Sequence, residues 1–367
     1  MPCTHQQMTG TPTVAKPRME WIDSMRGFTM ILVVAYHVSM MGYGENPKDS
    51  SYLSLCVLFR MPLFFFISGF FAYSSRTQWS LPVLVRSLWK KFRIQVIPTV
   101  VFFALFIIML HRGSWDKAVS LLQHDTKGGY WFTIVLLQMF VIYYLFAYVE
   151  HFFAPRLERL RLRWFSITLL WLCALCVYAT WYMPSWFHYQ KQDWLQWSSF
   201  SQTIIFSHFF LAGNIVHRYW DRFQRLFDAR WFAPLIITVA VAALCEHFRW
   251  HELRRQWANL PRTLAMYSLM TTVILVFRHY ATAFSRQTWA GRALQYIGVR
   301  TLDIYLLHFL FIIHIPTVGP WLQTCRPNFV LDLAVSLAGA SFVVAVCLAA
   351  SAVLRISPFF KRHLFGR

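Results

Sequence analysis

Two ionisable side chains stand out inside a stretch long enough to cross a bilayer. The run from Trp21 to Met41, WIDSMRGFTMILVVAYHVSMM, carries Arg26 near one end and His37 deep inside. Eleven residues at about 100° each bring the two back to within about 20° of one helical face, about 16 Å apart along the axis. A neutral imidazole accepts a proton and a guanidinium clamps an anion, so this face offers a base at depth and a cation at the membrane surface. An arginine at mid-membrane costs about 2.5 to 3.5 kcal/mol, so such groups must look into a protein cavity rather than lipid.

Other segments bring further candidates to the same depth. Arg60, in SYLSLCVLFRMPLFFFISGFFAYSS, lies about 12 Å below the surface by helical rise. It either snorkels or pairs structurally, or is held beside His37 to bind an anion or a developing oxyanion. In ALQYIGVRTLDIYLLHFLFIIHIP, Arg300 and Asp303 sit one turn apart and are expected to neutralise each other, while His308 falls level with His37 and Arg60. Lys90-x-x-Arg93 closes a basic segment that reads as an orientation signal, or together with Arg26 as a cationic mouth for phosphates. His208, alone on an apolar face, reads as a packing residue, and Gly128 to Phe132 as an aromatic belt, with Trp131 stacking on a sugar as the alternative.

The elements that position these groups follow from composition. Hydrophobic residues make up 57% of the 367-residue chain and charged residues 14%, against about 25% charged in globular proteins. The fold class is an all-α integral membrane protein, a bundle of about ten transmembrane helices over roughly 21–42, 52–74, 94–111, 128–149, 164–183, 199–217, 231–247, 260–278, 293–315 and 329–354. The fifth and seventh spans are apolar throughout and read as scaffold. Residues 1–17 are expected to form a disordered tail, and 18–367 a single polytopic domain.

A net charge of +20 would point to nucleic acid in a soluble chain. Here Lys and Arg gather at Lys16 to Arg26, Arg76 to Arg93, Arg156 to Arg163, Arg218 to Arg230 and Arg355 to Arg367, all on one side if the spans hold. That pattern sets both termini in the cytoplasm, with the lipid bilayer rather than nucleic acid as partner. One loop on the other side, Phe248 to Arg262, runs against it with four arginines. Cys173-x-x-Cys176 has no second pair, so no metal site is expected, and no disulfide is implied.

The stretches WIDSMRGFTMILVVAYHVS, FRMPLFFFISGFFAYSS, YWFTIVLLQM, HFFLAGNIV and VRTLDIYLLHFLF, in that order, resemble the membrane acyltransferase-3 family, and most of all its glucan-succinylating bacterial members. The resemblance implies ten helices in the bacterial inner membrane and acyl-CoA (acetyl-CoA or succinyl-CoA) as co-substrate, with no permanently bound cofactor. It implies transfer of the acyl group to a hydroxyl of an extracytoplasmic glycan or polysaccharide. By position it implies an essential His37 with Arg26 as its motif partner, and Lys90 and Arg93 as the basic pair. A lysine stands at 90 where the family has arginine, exchanging a bidentate grip for a point charge.

On that reading His37 takes the proton of the attacking hydroxyl, and Arg60 with His308 stabilises the oxyanion or an acyl carboxylate. An acyl-histidine relay is a second route. The rival class is a transporter or flippase for a glycan or other anionic solute, whose expected mark is a pair of interrupted helices in two halves.

Overall fold

The computed structural model describes residues 19–46, 50–160, 165–182, 193–252, 259–325 and 329–364, and the tail expected at 1–17 lies outside them. All regular structure among the described residues is helical. The longer helices are α1 (Glu20–His37), α2 (Ser51–Ala72), α3 (Leu81–Leu110), α4 (Trp115–Gln123), α5 (Trp131–Phe152), α6 (Ser166–Trp181), α7 (Phe200–Arg218), α8 (Phe232–Glu252), α9 (Asn259–His279), α10 (Trp289–Val299), α11 (Thr301–Phe311) and α12 (Phe329–Leu354). Among the described residues seven helices are long and apolar enough to cross a membrane: α1 with its π-helical extension to Gly42, α2, α3, α5, α8 (over Phe232–Arg249), α9 and α12.

The other three expected spans take different forms. The helix expected over 164–183 is the 16-residue α6. The one expected over 199–217 is the 19-residue α7, whose interior carries buried Ser201, Thr203, His208 and Asn214 and is correspondingly polar. The span expected over 293–315 is not one helix. It breaks at Arg300 (φ −112°, ψ 18°) into α10 and α11, and α11 ends at Phe311.

Close backbone crossings set the relative placement of the helices. Where α1 meets α10, a Cβ on Gly27 would overlap the Leu294 carbonyl and one on Gly298 the Asp23 carbonyl. Gly69 and Gly213 do the same for α2 and α7, against the carbonyls of Phe210 and Phe66. Without a hydrophobic drive between helices in lipid, such dispersion contact is the main attraction available. Asn214 lies at this crossing, its amide 3.4 Å from the Gly69 carbonyl.

Two carboxylates inside the bundle are paired with arginines from other helices. Asp303 accepts from Ser351 at 2.6 Å and from Arg355 at 2.7 Å, both at the end of α12. The expected neutralisation of Asp303 by Arg300 is therefore replaced: a residue one turn away on α11 points elsewhere, and Arg300 stacks over the Tyr296 ring at 3.8 Å. Glu150 takes a two-pronged contact from Arg218, at 2.6 and 3.0 Å, and a hydrogen bond from the Ser166 hydroxyl, which ties α5, α6 and α7 together at one end.

Candidate active site

His37 is the last residue of α1, followed at once by the π-helical turn Val38–Gly42. Its Nδ1 lies 2.9 Å from Nε2 of His308 on α11, with the rings 12° from parallel. The tautomers of the neutral pair follow from the outer partners. Nδ1 of His308 faces the carbonyls of Ile304 at 3.1 Å and Tyr305 at 2.8 Å, which only accept, so that nitrogen carries the proton. Nε2 of His308 then accepts from Nδ1–H of His37, and His37 keeps the lone pair on its own Nε2. Sequence placed the two histidines level; the structure joins them in one hydrogen-bonded dyad.

Arg60 on α2 is 8% exposed, and its guanidinium lies over the Tyr36 ring at 3.3 Å. Nε and Nη1 have no hydrogen-bond partner among the described residues. Buried donors left unsatisfied cost about 1 to 3 kcal/mol each, more for charged groups, and these two are open to an acceptor from outside the chain. Arg60 and His37 line the same two cavities.

Three cavities share walls in series. One of about 440 Å³, at the end where α1 begins, is lined by Arg26, Lys90, Lys91, Thr301 and Tyr305 among others. A waist of about 40 Å³ follows, bounded by Met30, Val33, His37, Arg60, Phe64, Phe132 and Tyr305. That is little more than the room of one water, about 30 Å³ in the liquid. A vestibule of about 660 Å³ then opens at the far end, with His37 and Arg60 in its wall and Trp131, Tyr178, Tyr182, Gln202 and Arg262 around it. Arg26, Met30, Val33 and His37 are spaced i, i+4, i+7 and i+11, so one stripe of α1 runs from the first cavity to the last.

The candidate residues divide accordingly. His37 and Arg60 line the waist, and His308 is hydrogen-bonded to His37 from behind it. Arg26 and Lys90 line the first cavity, but Arg93 is exposed and does not. The face of α3 turned inward is Ser87, Lys90, Lys91, Ile94 and Gln95, and Arg93 falls off that stripe. Lys91, which the sequence reading passed over, takes the inward place, with its ammonium 3.7 Å from the Phe140 ring centre.

Several other expectations are revised. Gly128 to Phe132 is not an interfacial belt: Gly129 and Trp131 line vestibule and waist, and Phe132 lines the waist and the first cavity. The loop reaches this depth through a left-handed run, Lys127, Gly128 and Gly129 at φ 44°, 60° and 102°. Lys127 pins it by donating to the carbonyls of Leu122, His124 and Gln196 at 2.8, 3.3 and 3.2 Å. Burial pushes the Lys127 ammonium below its ordinary pKa. The scaffold helix α6 supplies Tyr178 to the vestibule. His208 is buried, 2.6 Å from the Tyr267 hydroxyl, as a packing residue should be. The exposed Trp194 and Trp197 stand away from the vestibule lining.

Tyr305 is the functional residue that sequence reasoning missed at the waist. Its hydroxyl donates to the Gly129 carbonyl at 2.8 Å and accepts from the Phe132 N–H at 3.2 Å, tying α11 to the start of α5. Its position three residues before His308, on the same face, was the available signal.

A buried imidazole with a lone pair on Nε2, a guanidinium beside it with two unsatisfied donors and cavities on both sides make up the candidate site, in a chain whose described residues are helical. The family model described as an acyltransferase domain, acyltransferase-3, matches residues 19–353, and the chain belongs to that family of membrane acyltransferases. No curated protein and no solved structure matches the chain.

Proposed function

We propose that the protein moves an acyl group, acetyl or succinyl, from cytoplasmic acyl-CoA to a hydroxyl of an extracytoplasmic glycan, across the bacterial inner membrane. In this reading α1 begins on the cytoplasmic side, where both termini lie. The observation that carries it is the series of cavities: a cationic one, a narrow waist holding His37 and Arg60, and an aromatic-walled vestibule. Arg26, Lys90 and Lys91 bind the phosphates of the donor, and its slender thioester arm passes through the waist, whose about 40 Å³ must widen to take it. The aromatic rings Trp131, Tyr178 and Tyr182 suit the faces of a sugar.

Nε2 of His37 removes the proton from the acceptor hydroxyl as its oxygen bonds to the thioester carbon, a contribution of about 10² to 10⁴ in rate. Arg60 donates to the resulting oxyanion with hydrogens that have no other partner. When the C–S bond breaks, His37 returns the proton to the departing thiolate, so acylated alcohol and free thiol leave and the dyad is restored. His308 accepts from Nδ1–H of His37 throughout and supports the transient imidazolium.

The experiment is thiol release from acetyl-CoA and succinyl-CoA by purified protein supplied with a glycan acceptor. Release by the wild type and none by a folded His37→Ala variant supports the reading. Equal release by the variant removes His37 from the chemistry.

A further inference from the structure

The break at Arg300 has no proline to explain it, and it has a consequence. It starts a new helix inside the bundle, and the first turn of any helix leaves backbone N–H groups without an intrahelical acceptor. Thr301, the first residue of α11, is 2% exposed, lines the cationic cavity, and its hydroxyl has no hydrogen-bond partner among the described residues. Leu302 and Tyr305 line the same cavity. Asp303, the acid of this turn, lies on the opposite face, bonded to Ser351 and Arg355. The cavity lining includes Arg26, Lys90 and Lys91 and no carboxylate.

We infer that the start of α11 is a diphosphate-binding site, in which the Thr301 hydroxyl and the first N–H groups of the helix donate to phosphate oxygens while Arg26, Lys90 and Lys91 balance their charge. A pair of lysine ammoniums reads mainly charge, whereas a helix start with a hydroxyl at its first residue adds fixed donors and a favourable dipole end. The site thereby fixes how far the donor can advance. With the diphosphate held at Thr301, only the unphosphorylated arm continues past Tyr305 to His37, two turns further along α11 at the level of His308. The inference rests on the donor assigned above, and coenzyme A is the diphosphate it names. The same chemistry in a lipid, an isoprenyl diphosphate, is the competing source.

Binding to the full-length protein in detergent, measured by titration calorimetry, tests it with coenzyme A, pantetheine and farnesyl diphosphate as probes. Expected are tight binding of coenzyme A, at least tenfold weaker binding of pantetheine, and roughly tenfold loss of coenzyme A affinity in Thr301→Val with pantetheine unchanged. Thr301→Ser, which keeps the hydroxyl, should restore the wild-type value. Removing an unpartnered hydroxyl leaves no broken hydrogen bond behind, so the valine variant is expected to fold. Unchanged coenzyme A affinity in Thr301→Val, equal loss for pantetheine, or dependence on Thr301 seen only with farnesyl diphosphate overturns the inference. Absence of coenzyme A binding by the wild type would remove the assigned donor itself, and this site with it.

Discussion

His37 and His308 come from helices 271 positions apart in sequence, yet their facing nitrogens are 2.9 Å apart. The hydrogen bonds from Nδ1 of His308 to its own helix fix which nitrogen of His37 is left to act as base. On the proposed mechanism His308 is a positioning residue, its outward nitrogen already occupied, and the oxyanion role considered for it from sequence falls to Arg60.

Replacing His308 by Ala should lower kcat by about 10- to 100-fold with KM for the donor nearly unchanged, the usual scale for losing an orienting partner. His308→Gln should recover part of the loss, because its amide oxygen can accept from Nδ1–H of His37. Steady-state kinetics on the two variants decide this. A glutamine variant no better than alanine would mean that the hydrogen bond does not orient the base.

Arg60→Met should separate activity from stability. Loss of an oxyanion donor costs about 10² to 10³ in kcat, while removal of a buried, unsatisfied cation leaves the fold as stable or more so. Turnover and the thermal midpoint in detergent, measured on the same preparation, check both halves. A destabilised variant with near-normal turnover would make Arg60 a structural residue.

Gly298→Ala should destabilise the bundle by about 1 to 3 kcal/mol or more, as overpacking does, because the added methyl meets the backbone carbonyl of Asp23 and not a side chain that can swing away. Since α10 leads directly into α11, the dyad should be disturbed as well, and thermal unfolding and turnover should fall together. Wild-type unfolding in this variant would show that α1 and α10 are less closely seated than the structure has them.

Much of the site was legible from spacing alone. The eleven-residue interval from Arg26 to His37 requires a shared face, and that face, continued by Met30 and Val33, is the one lining the cavities. Depth counting put Arg60 and His308 level with His37, because helical rise is the same wherever a helix ends up. What escaped depends on rotation and on distant partners. Lys90, Lys91 and Arg93 lie on one helix, and only packing against α5 and α11 decides which of them turns inward. Asp303 has an arginine one turn away and another 52 residues on; sequence favours the near one, and the end of α12 delivers the far one. The break at Arg300 leaves no mark in an apolar run without proline, and aromatic residues in a row look the same facing an interface or a cavity.

In the proposed reaction donor and acceptor reach one imidazole from opposite sides of a membrane. Reconstitution into sealed vesicles of a single known orientation tests it most directly, with radiolabelled acetyl-CoA or succinyl-CoA supplied on the α1-start side only and a glycan acceptor on the other side only. Labelled, acylated glycan is expected in the acceptor compartment, and none with His37→Ala. Transfer that occurs only when donor and acceptor share a compartment would contradict it.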